Sequence, residues 1–309
     1  MSPGGVALVL TGATGTGKKE VGLELARRLG AEVIGLDSVK VYQGLSVGAA
    51  TPSAADGAGV PIHLVGVTDP RHPFSLGEYV TAASKAVGEI RERSALPLFV
   101  GGTPLYLQAL LRGLFLGPPA QPELRRRLWD EAQASGVERL HAKLSEVDPE
   151  AAARILPRDF KRISRALEVH AVTGRPISEL QRQGTQRPIW ADFRVAGLFC
   201  EEGLLRRRQR ERVARMFEQG LVEEVRELHL GGRLQGEAAV AIGYREVVAH
   251  LEGRLTRQEA GTEIVRSTWR LTRNQRKWFR RFPEIAWIER FEESPADELL
   301  GQVLSAWRL

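Results

Sequence analysis

Residues Gly12-Ala13-Thr14-Gly15-Thr16-Gly17-Lys18-Lys19 stand between a short apolar run, 6–10, and a helical pattern over 19–29. A strand that feeds a glycine-rich turn into a helix is the context of the phosphate-binding P-loop, G-x-x-x-x-G-K-[ST]. The glycines let backbone N–H groups turn toward a phosphate at the positive end of the helix dipole, and Lys18 adds a full charge. One position departs from the pattern. Lys19 stands where a serine or threonine normally ligates Mg²⁺, so the loop specifies a di- or triphosphate without specifying the metal.

The first 115 or so residues alternate strand and helix in the α/β manner. Residues 33–36 read as a second buried strand ending in Asp37-Ser38, and 61–67 as a third. A helix is expected over 74–93, capped by Ser75, with Tyr79, Ala83, Ala86 and Ile90 on one face. The strand 98–100 runs into Gly101-Gly102-Thr103 and a helix opening at Pro104. Beyond Gly117-Pro118-Pro119 every segment reads helical up to the link 184–188. The strand 194–198 then returns the chain to the α/β core, followed by helices over 202–219 and 256–281, an edge strand over 285–288 and a terminal helix. The expected fold is α/β, a parallel sheet core formed by 1–117 and 188–309, with an inserted all-helical domain over 118–187.

At 309 residues the chain can form one large or two modest domains. Its single cysteine, Cys200, ends an apolar run and reads as a small buried hydrophobe. One cysteine excludes a disulfide framework and a cysteine-based zinc finger, and fits a reducing compartment. Residues 1–5 lack the features of a signal peptide, and no run approaches the ~18 apolar residues of a membrane span, so a cytoplasmic protein without membrane contact is expected. Charge is unevenly spread. Residues 1–119 hold 10 Lys and Arg against 9 Asp and Glu, whereas 203–281 hold 18 against 10. A local excess of this kind suits a polyanionic partner such as nucleic acid.

Three loops leave C-terminal strand ends: the P-loop, Asp37-Ser38-Val39-Lys40, and Gly101-Gly102-Thr103. In an open parallel sheet those ends face the ligand crevice. Asp37 and Thr103 are thereby expected beside a bound phosphate chain, Asp37 as a metal ligand or a general base. No second apolar strand ends in aspartate, which argues against an ordinary ATPase. The six histidines show no metal spacing. His63 reads as a structural histidine or a substrate contact, and Trp269, Trp278 and Phe279 read as core.

Over nearly its whole length the chain resembles the tRNA dimethylallyltransferases, also called tRNA isopentenyltransferases, of bacterial type. The resemblance rests on the P-loop, Asp37-Ser38-x-x-x-Tyr42-x-Gly44, Gly48-x-x-x-Pro52, His63-Leu64 and Val100-Gly101-Gly102-Thr103-x-Leu105-Tyr106. It continues through Asp148-Pro149-x-Ala151-Ala152, Arg162-x-x-Arg165-Ala166-Leu167-Glu168-Val169 and Gly220-Leu221-x-Glu223-Glu224-Val225. Ile242-Gly243-Tyr244-Arg245-Glu246 and Arg273-Asn274-Gln275-x-x-Trp278-Phe279-Arg280 close the series.

The resemblance implies a P-loop NTPase-like core whose phosphate site takes dimethylallyl diphosphate instead of ATP. The N6 amine of the adenosine 3′ to the anticodon would attack the allylic carbon and diphosphate would leave. In that picture Asp37, Thr103 and Lys18 are catalytic, and Gly12, Ala13, Thr14, Gly15, Thr16, Gly17, Lys18, Lys19 and Arg208 hold the diphosphate. The tRNA is met by Asp37, Ser38, Val39, Lys40, Thr103, Arg125, Lys161, Arg162, Ile163, Ser164 and Arg165. The helical insertion is similar to the mobile domain that clamps the anticodon stem-loop, and Arg212 matches a further family position. A monomer is expected, as is Mg²⁺, although Lys19 removes the hydroxyl that normally ligates it. Lys40, Thr51, Arg158 and Trp269 also depart from residues frequent in the family. Three rival readings remain at this stage: an adenylate isopentenyltransferase acting on free nucleotide, a nucleotide kinase, and a tRNA-binding protein with impaired catalysis.

Overall fold

The structure, a computed structural model, describes residues 5–52, 57, 59–113, 115, 117–183, 189, 191–292 and 294–309. The link read at 184–188 and the N-terminal residues 1–4 lie outside the described residues. Among the described residues six parallel strands form one sheet: β1 (Val6–Gly12), β2 (Ala31–Leu36), β3 (Ile62–His63), β4 (Leu96–Gly101), β5 (Asp192–Phe199) and β6 (Ile285–Glu289). Their order is β3-β2-β4-β1-β5-β6. Strands covered on both faces need continuous apolar runs rather than alternation. That is what β2 supplies, with every residue buried, and β1 is buried at all but its first. The β1–β4 register pairs Thr11 with Gly101, and the β2–β4 register pairs Leu36 with the same Gly101. Three chain segments therefore leave the sheet at one level. β1 lies between β4 and β5 although the chain passes next to β2, so the crevice opens where the strand order reverses.

Cα packing divides the chain into two compact units, Met1–Leu111 with Pro188–Leu309, and Arg112–Arg187. In the first, the sheet is covered by α1 (Lys18–Leu29), α2 (Leu76–Glu92) and α3 (Pro104–Arg112). The second contains α4 (Pro122–Ser135), α5 (Val137–Val147), α6 (Pro149–Arg154), α7 (Phe160–Thr173) and α8 (Ile177–Gln183). The first unit resumes with α9 (Glu202–Glu218), α10 (Leu221–Leu230), α11 (Gly236–Ala239), α12 (Tyr244–Leu251), α13 (Arg257–Phe279) and α14 (Ala296–Ala306). Ser75 and Thr256 cap α2 and α13 through reciprocal bonds with Glu78 and Glu259, the capping box that offsets orphan amides at a helix start. The expected third strand over 61–67 is shorter than its apolar content suggested. Leu64 takes a left-handed backbone with φ 59°, which ends the ladder after His63.

The sheet core gathers Leu8, Leu10, Leu98 and Leu198 with Leu25 of α1 and Trp307 after α14. The Trp307 indole is fully buried, and its Nε1 donates to the Val9 carbonyl at 3.3 Å. A second core joins Val41, Tyr42 and Leu45 to α9, α10, α12 and α13. The second unit has its own core of Leu140, Leu144, Ile163, Ala166 and Val169. Asp148 fastens it by accepting from the amides of Ala151 and Ser178 and from the Ser178 hydroxyl, which accounts for the Asp148-Pro149 motif structurally. Among the described residues no helix is long and apolar enough to cross a membrane.

Candidate active site

Two glycines near the strand ends have no ready substitute. Gly17 takes φ 83°, a left-handed backbone that L side chains rarely adopt, and a Cβ on Gly101, at the end of β4, would run into the Leu36 carbonyl. The first forces the turn into α1, whose N-terminus carries no side-chain cap, and the second lets β4 run flush against β2. Uncapped first-turn amides have no intrahelical acceptor and are free to meet an anion. Inside the loop, the Thr16 hydroxyl donates to the Ala13 carbonyl at 3.0 Å, and Lys18 Nζ donates to that same carbonyl at 3.0 Å.

Long-range bonds hold the loop. Gln275 of α13 accepts from the Thr14 amide at 2.9 Å and donates from Nε2 to the Gly102 carbonyl at 2.7 Å, joining the P-loop to the loop after β4. Gln209 of α9 donates to the Thr14 carbonyl at 3.0 Å and to the Thr272 hydroxyl at 2.8 Å. Arg290 donates to the Thr16 carbonyl at 3.2 Å. None of these three was singled out as a site residue from sequence. Gln275 had a signal, since it lies in the Arg273-Asn274-Gln275 motif; Gln209 and Arg290 had none.

The loop after β2 turns on its own aspartate. Asp37 Oδ1 accepts from the amides of Val39 at 2.9 Å and Lys40 at 3.3 Å, leaving Oδ2 outside the turn. The Ser38 amide donates to the Thr103 hydroxyl at 3.2 Å, so the β2 and β4 loops are tied at Thr103 and the residue after Asp37. Thr103 keeps its own proton for another acceptor. The following loop is buckled by Glu224 of α10, which accepts from the amides of Ser46, Val47 and Gly48 and from the Tyr244 hydroxyl. Two of the quoted motifs, around Glu224 and Tyr244, therefore act on the shape of this loop.

A cavity of about 460 Å³ opens above these loops, lined in part by Lys18, Lys19, Asp37, Lys40, Arg208 and Arg212. Crowding cations in a half-buried space perturbs them. Burial, then the charge of Lys40, pulls Lys18 down to about 7, while Asp37 opposes the shift. Burial likewise lowers Lys40 and Arg212, again with Asp37 opposing. A cavity that strains to keep its own cations charged is built to receive a polyanion.

Among the described residues no group of three His, Cys, Asp or Glu side chains could hold a metal ion. At the P-loop the ligating hydroxyl is replaced by the Lys19 ammonium. The protein half of the usual Mg²⁺ site is therefore missing, and the chain's residues do not fit one.

The second unit sorts its basic residues by burial. Ile163 is fully buried and Ser164 is 5% exposed, both turned into the unit's core, so neither side chain is available to RNA as the sequence had suggested. The cause is the period of α7, which puts Ile163, Ala166 and Val169 on one face. Arg125 and Arg165 converge on the buried Glu168, Arg125 through Nε and Nη2 at 2.8 Å each and Arg165 through Nη1 at 2.6 Å. Burial would raise the Glu168 carboxyl, but bonds from Arg125, the Gln121 amide and Arg165 overcome it and hold it low. Lys161 and Arg162 remain exposed. Cys200 is buried. His63 bonds Glu32 at 2.6 Å and has a structural role, and of the three aromatics only Phe279 is fully in the core.

A family model described as IPP transferase matches residues 40–282, and one described as isopentenyl transferase matches 5–61. The chain belongs to the IPP transferase family. It is 42% identical over 285 residues to the tRNA dimethylallyltransferase of Geobacter metallireducens, covering 91% of this chain and 92% of that one. It is 39% identical to the enzyme of the same name from Geobacillus thermodenitrificans, covering 91% and 90%. Among solved structures it is similar to the full-length tRNA isopentenylpyrophosphate transferase of Bacillus halodurans. The TM-score is 0.70 and the identity 33%, with 98% of this chain and 97% of that one covered. The family and the α/β core expected from the motifs are both borne out.

Proposed function

We propose that this chain transfers the dimethylallyl group of dimethylallyl diphosphate to the N6 amine of the adenosine 3′ to the anticodon in tRNA, releasing diphosphate. The observation that carries the reading is the cationic cavity at the strand ends, lined by Asp37, with the neighbouring Ser38 amide bonded to the Thr103 hydroxyl. Membership in the IPP transferase family supports it.

In this mechanism the P-loop amides, Lys18 and Arg208 hold the diphosphate. The N6 lone pair attacks the allylic carbon, the carbon–oxygen bond breaks, and diphosphate leaves with that electron pair. Asp37 Oδ2, the oxygen its turn does not use, takes the proton from N6. The Thr103 hydroxyl donates toward the bridging oxygen as charge develops there. Each well-aimed donor of this kind contributes ~3 kcal/mol. Lys18, lowered to about 7 by burial among the cavity's other cations, becomes fully charged beside the anion. No step is routed through a metal, because the residues present do not build its site.

The second unit is proposed as an RNA-binding part that meets the anticodon stem-loop through Lys161 and Arg162. Arg125 and Arg165 are positioning residues there, acting through Glu168. A monomer working in the cytoplasm, where a tRNA substrate is met, completes the proposal. The test is incubation with dimethylallyl diphosphate and unmodified tRNA bearing three adenosines 3′ to the anticodon. A dimethylallyl mass gain on the nucleoside next to the anticodon is expected. Gain only on free adenylate, phosphate transfer from ATP, or tRNA binding without any gain would each refute the proposal in favour of one named alternative.

A further inference from the structure

The loop position that normally supplies a metal ligand supplies a cation instead. Lys19 lines the cavity with a side chain 27% exposed, its ammonium 3.8 Å from the Glu20 carboxylate. Among the described lining residues seven are Lys or Arg and four are Asp or Glu, a net charge of +3 when all are ionised. An allylic diphosphate carries about −3 near neutral pH, one charge on the inner phosphate and two on the terminal one, whose last proton leaves near pH 6. The protein's own charges match the anion without a second cation.

A divalent ion at this place would meet the opposite situation. Asp37 is the only carboxylate of the three strand-end loops, and its Oδ1 is held by two backbone amides. Lys19, Lys18 and Lys40 would repel the ion where a hydroxyl would have coordinated it. Lys19 also differs from a metal in what it permits. An ammonium on a four-carbon stem donates three hydrogen bonds and needs no coordination shell, so it can follow the terminal phosphate as the allylic bond breaks.

We propose that Lys19 takes the place of the metal ligand and that this chain binds its diphosphate substrate without a divalent cation. The inference rests on the reading of this cavity as the diphosphate site. Arg208 and Arg212 complete the neutralisation from α9.

The experiment is a calorimetric titration of the full chain with dimethylallyl S-thiolodiphosphate, an unreactive ester, in excess EDTA and in millimolar Mg²⁺. Wild type is expected to bind with Kd values within about threefold of each other in the two media. Lys19→Thr restores the hydroxyl of the usual pattern and removes one charge. It is expected to bind about 10- to 100-fold more weakly than wild type in EDTA and to be rescued by Mg²⁺. The rescue separates lost charge from lost fold. Wild-type binding that appears only with Mg²⁺ would overturn the inference and leave the proposed function standing. A Lys19→Thr protein that binds as wild type does in EDTA would also overturn it. No binding by wild type in either medium would refute the diphosphate site itself, and the proposed function with it.

Discussion

Replacing Gln275 by alanine should loosen two active-site loops at once. Its Oε1 accepts from the Thr14 amide and its Nε2 donates to the buried Gly102 carbonyl, so the truncation leaves both backbone groups unpaired. The Gly102 carbonyl has no access to water, and an unsatisfied buried acceptor costs about 1–3 kcal/mol. The Thr14 amide lines the cavity, where water can replace the lost acceptor, so its share is about 0.5–1 kcal/mol. The summed loss is about 1.5–4 kcal/mol. For a unit of this size 1 kcal/mol moves Tm by about 2–4 °C, so a fall of roughly 3–16 °C is expected in calorimetric melting. Thr14 is also part of the phosphate loop, so affinity for dimethylallyl diphosphate should weaken at least about fivefold while tRNA affinity is unchanged. A fall in Tm of less than about 2 °C together with wild-type donor affinity would refute the account of Gln275 as the link between the loops.

Three further outcomes follow from the geometry. Asp37→Asn keeps an oxygen for the Val39 and Lys40 amides but removes the base; single-turnover transfer should slow by about 10²–10⁴ with tRNA binding retained, and a smaller loss would exclude Asp37 as the proton acceptor. Burial and the charge of Lys40 depress the Lys18 pKa to about 7, so above that pH it is mostly neutral, and a bound anion raises it again. Donor binding at ~pH 8 should therefore take up protons, and affinity should fall as pH rises from about 7 to 9; calorimetry giving equal heats in buffers of different ionisation enthalpy would contradict this. Glu168→Ala strips the shared partner from Arg125 and Arg165, and a discount for their partial exposure leaves about 2–3 kcal/mol of lost stability in the second unit, read as earlier unfolding in urea. Unchanged urea unfolding would show that the Arg–Glu–Arg cluster does not hold that unit together.

Much of the fold was legible because it is local. Continuous apolar runs marked β1, β2 and β4, capping residues Ser75 and Thr256 marked helix starts, and Gly12 to Lys18 marked the turn between strand and helix. The shortening of β3 was not legible, since a left-handed Leu64 carries no composition signal. In the second unit the run Lys161-Arg162-Ile163-Ser164-Arg165 looked like one basic patch. Helical periodicity splits it, and the buried Glu168 claims Arg165 together with the distant Arg125.

Local sequence is enough to place a phosphate loop with Lys18 and Lys19 at its end, because a strand–turn–helix and its glycines are specified over a dozen neighbouring residues. What surrounds that loop comes from residues distant in the chain that only folding brings together. Gln275 reaches Thr14 across 261 positions, and α9 carries Arg208 and Arg212 into the same cavity as Asp37. Electrostatics depends on distance and burial rather than on order along the chain. The lowered Lys18 and the cationic surroundings of Lys19 therefore exist only once the sheet has brought its strand ends together.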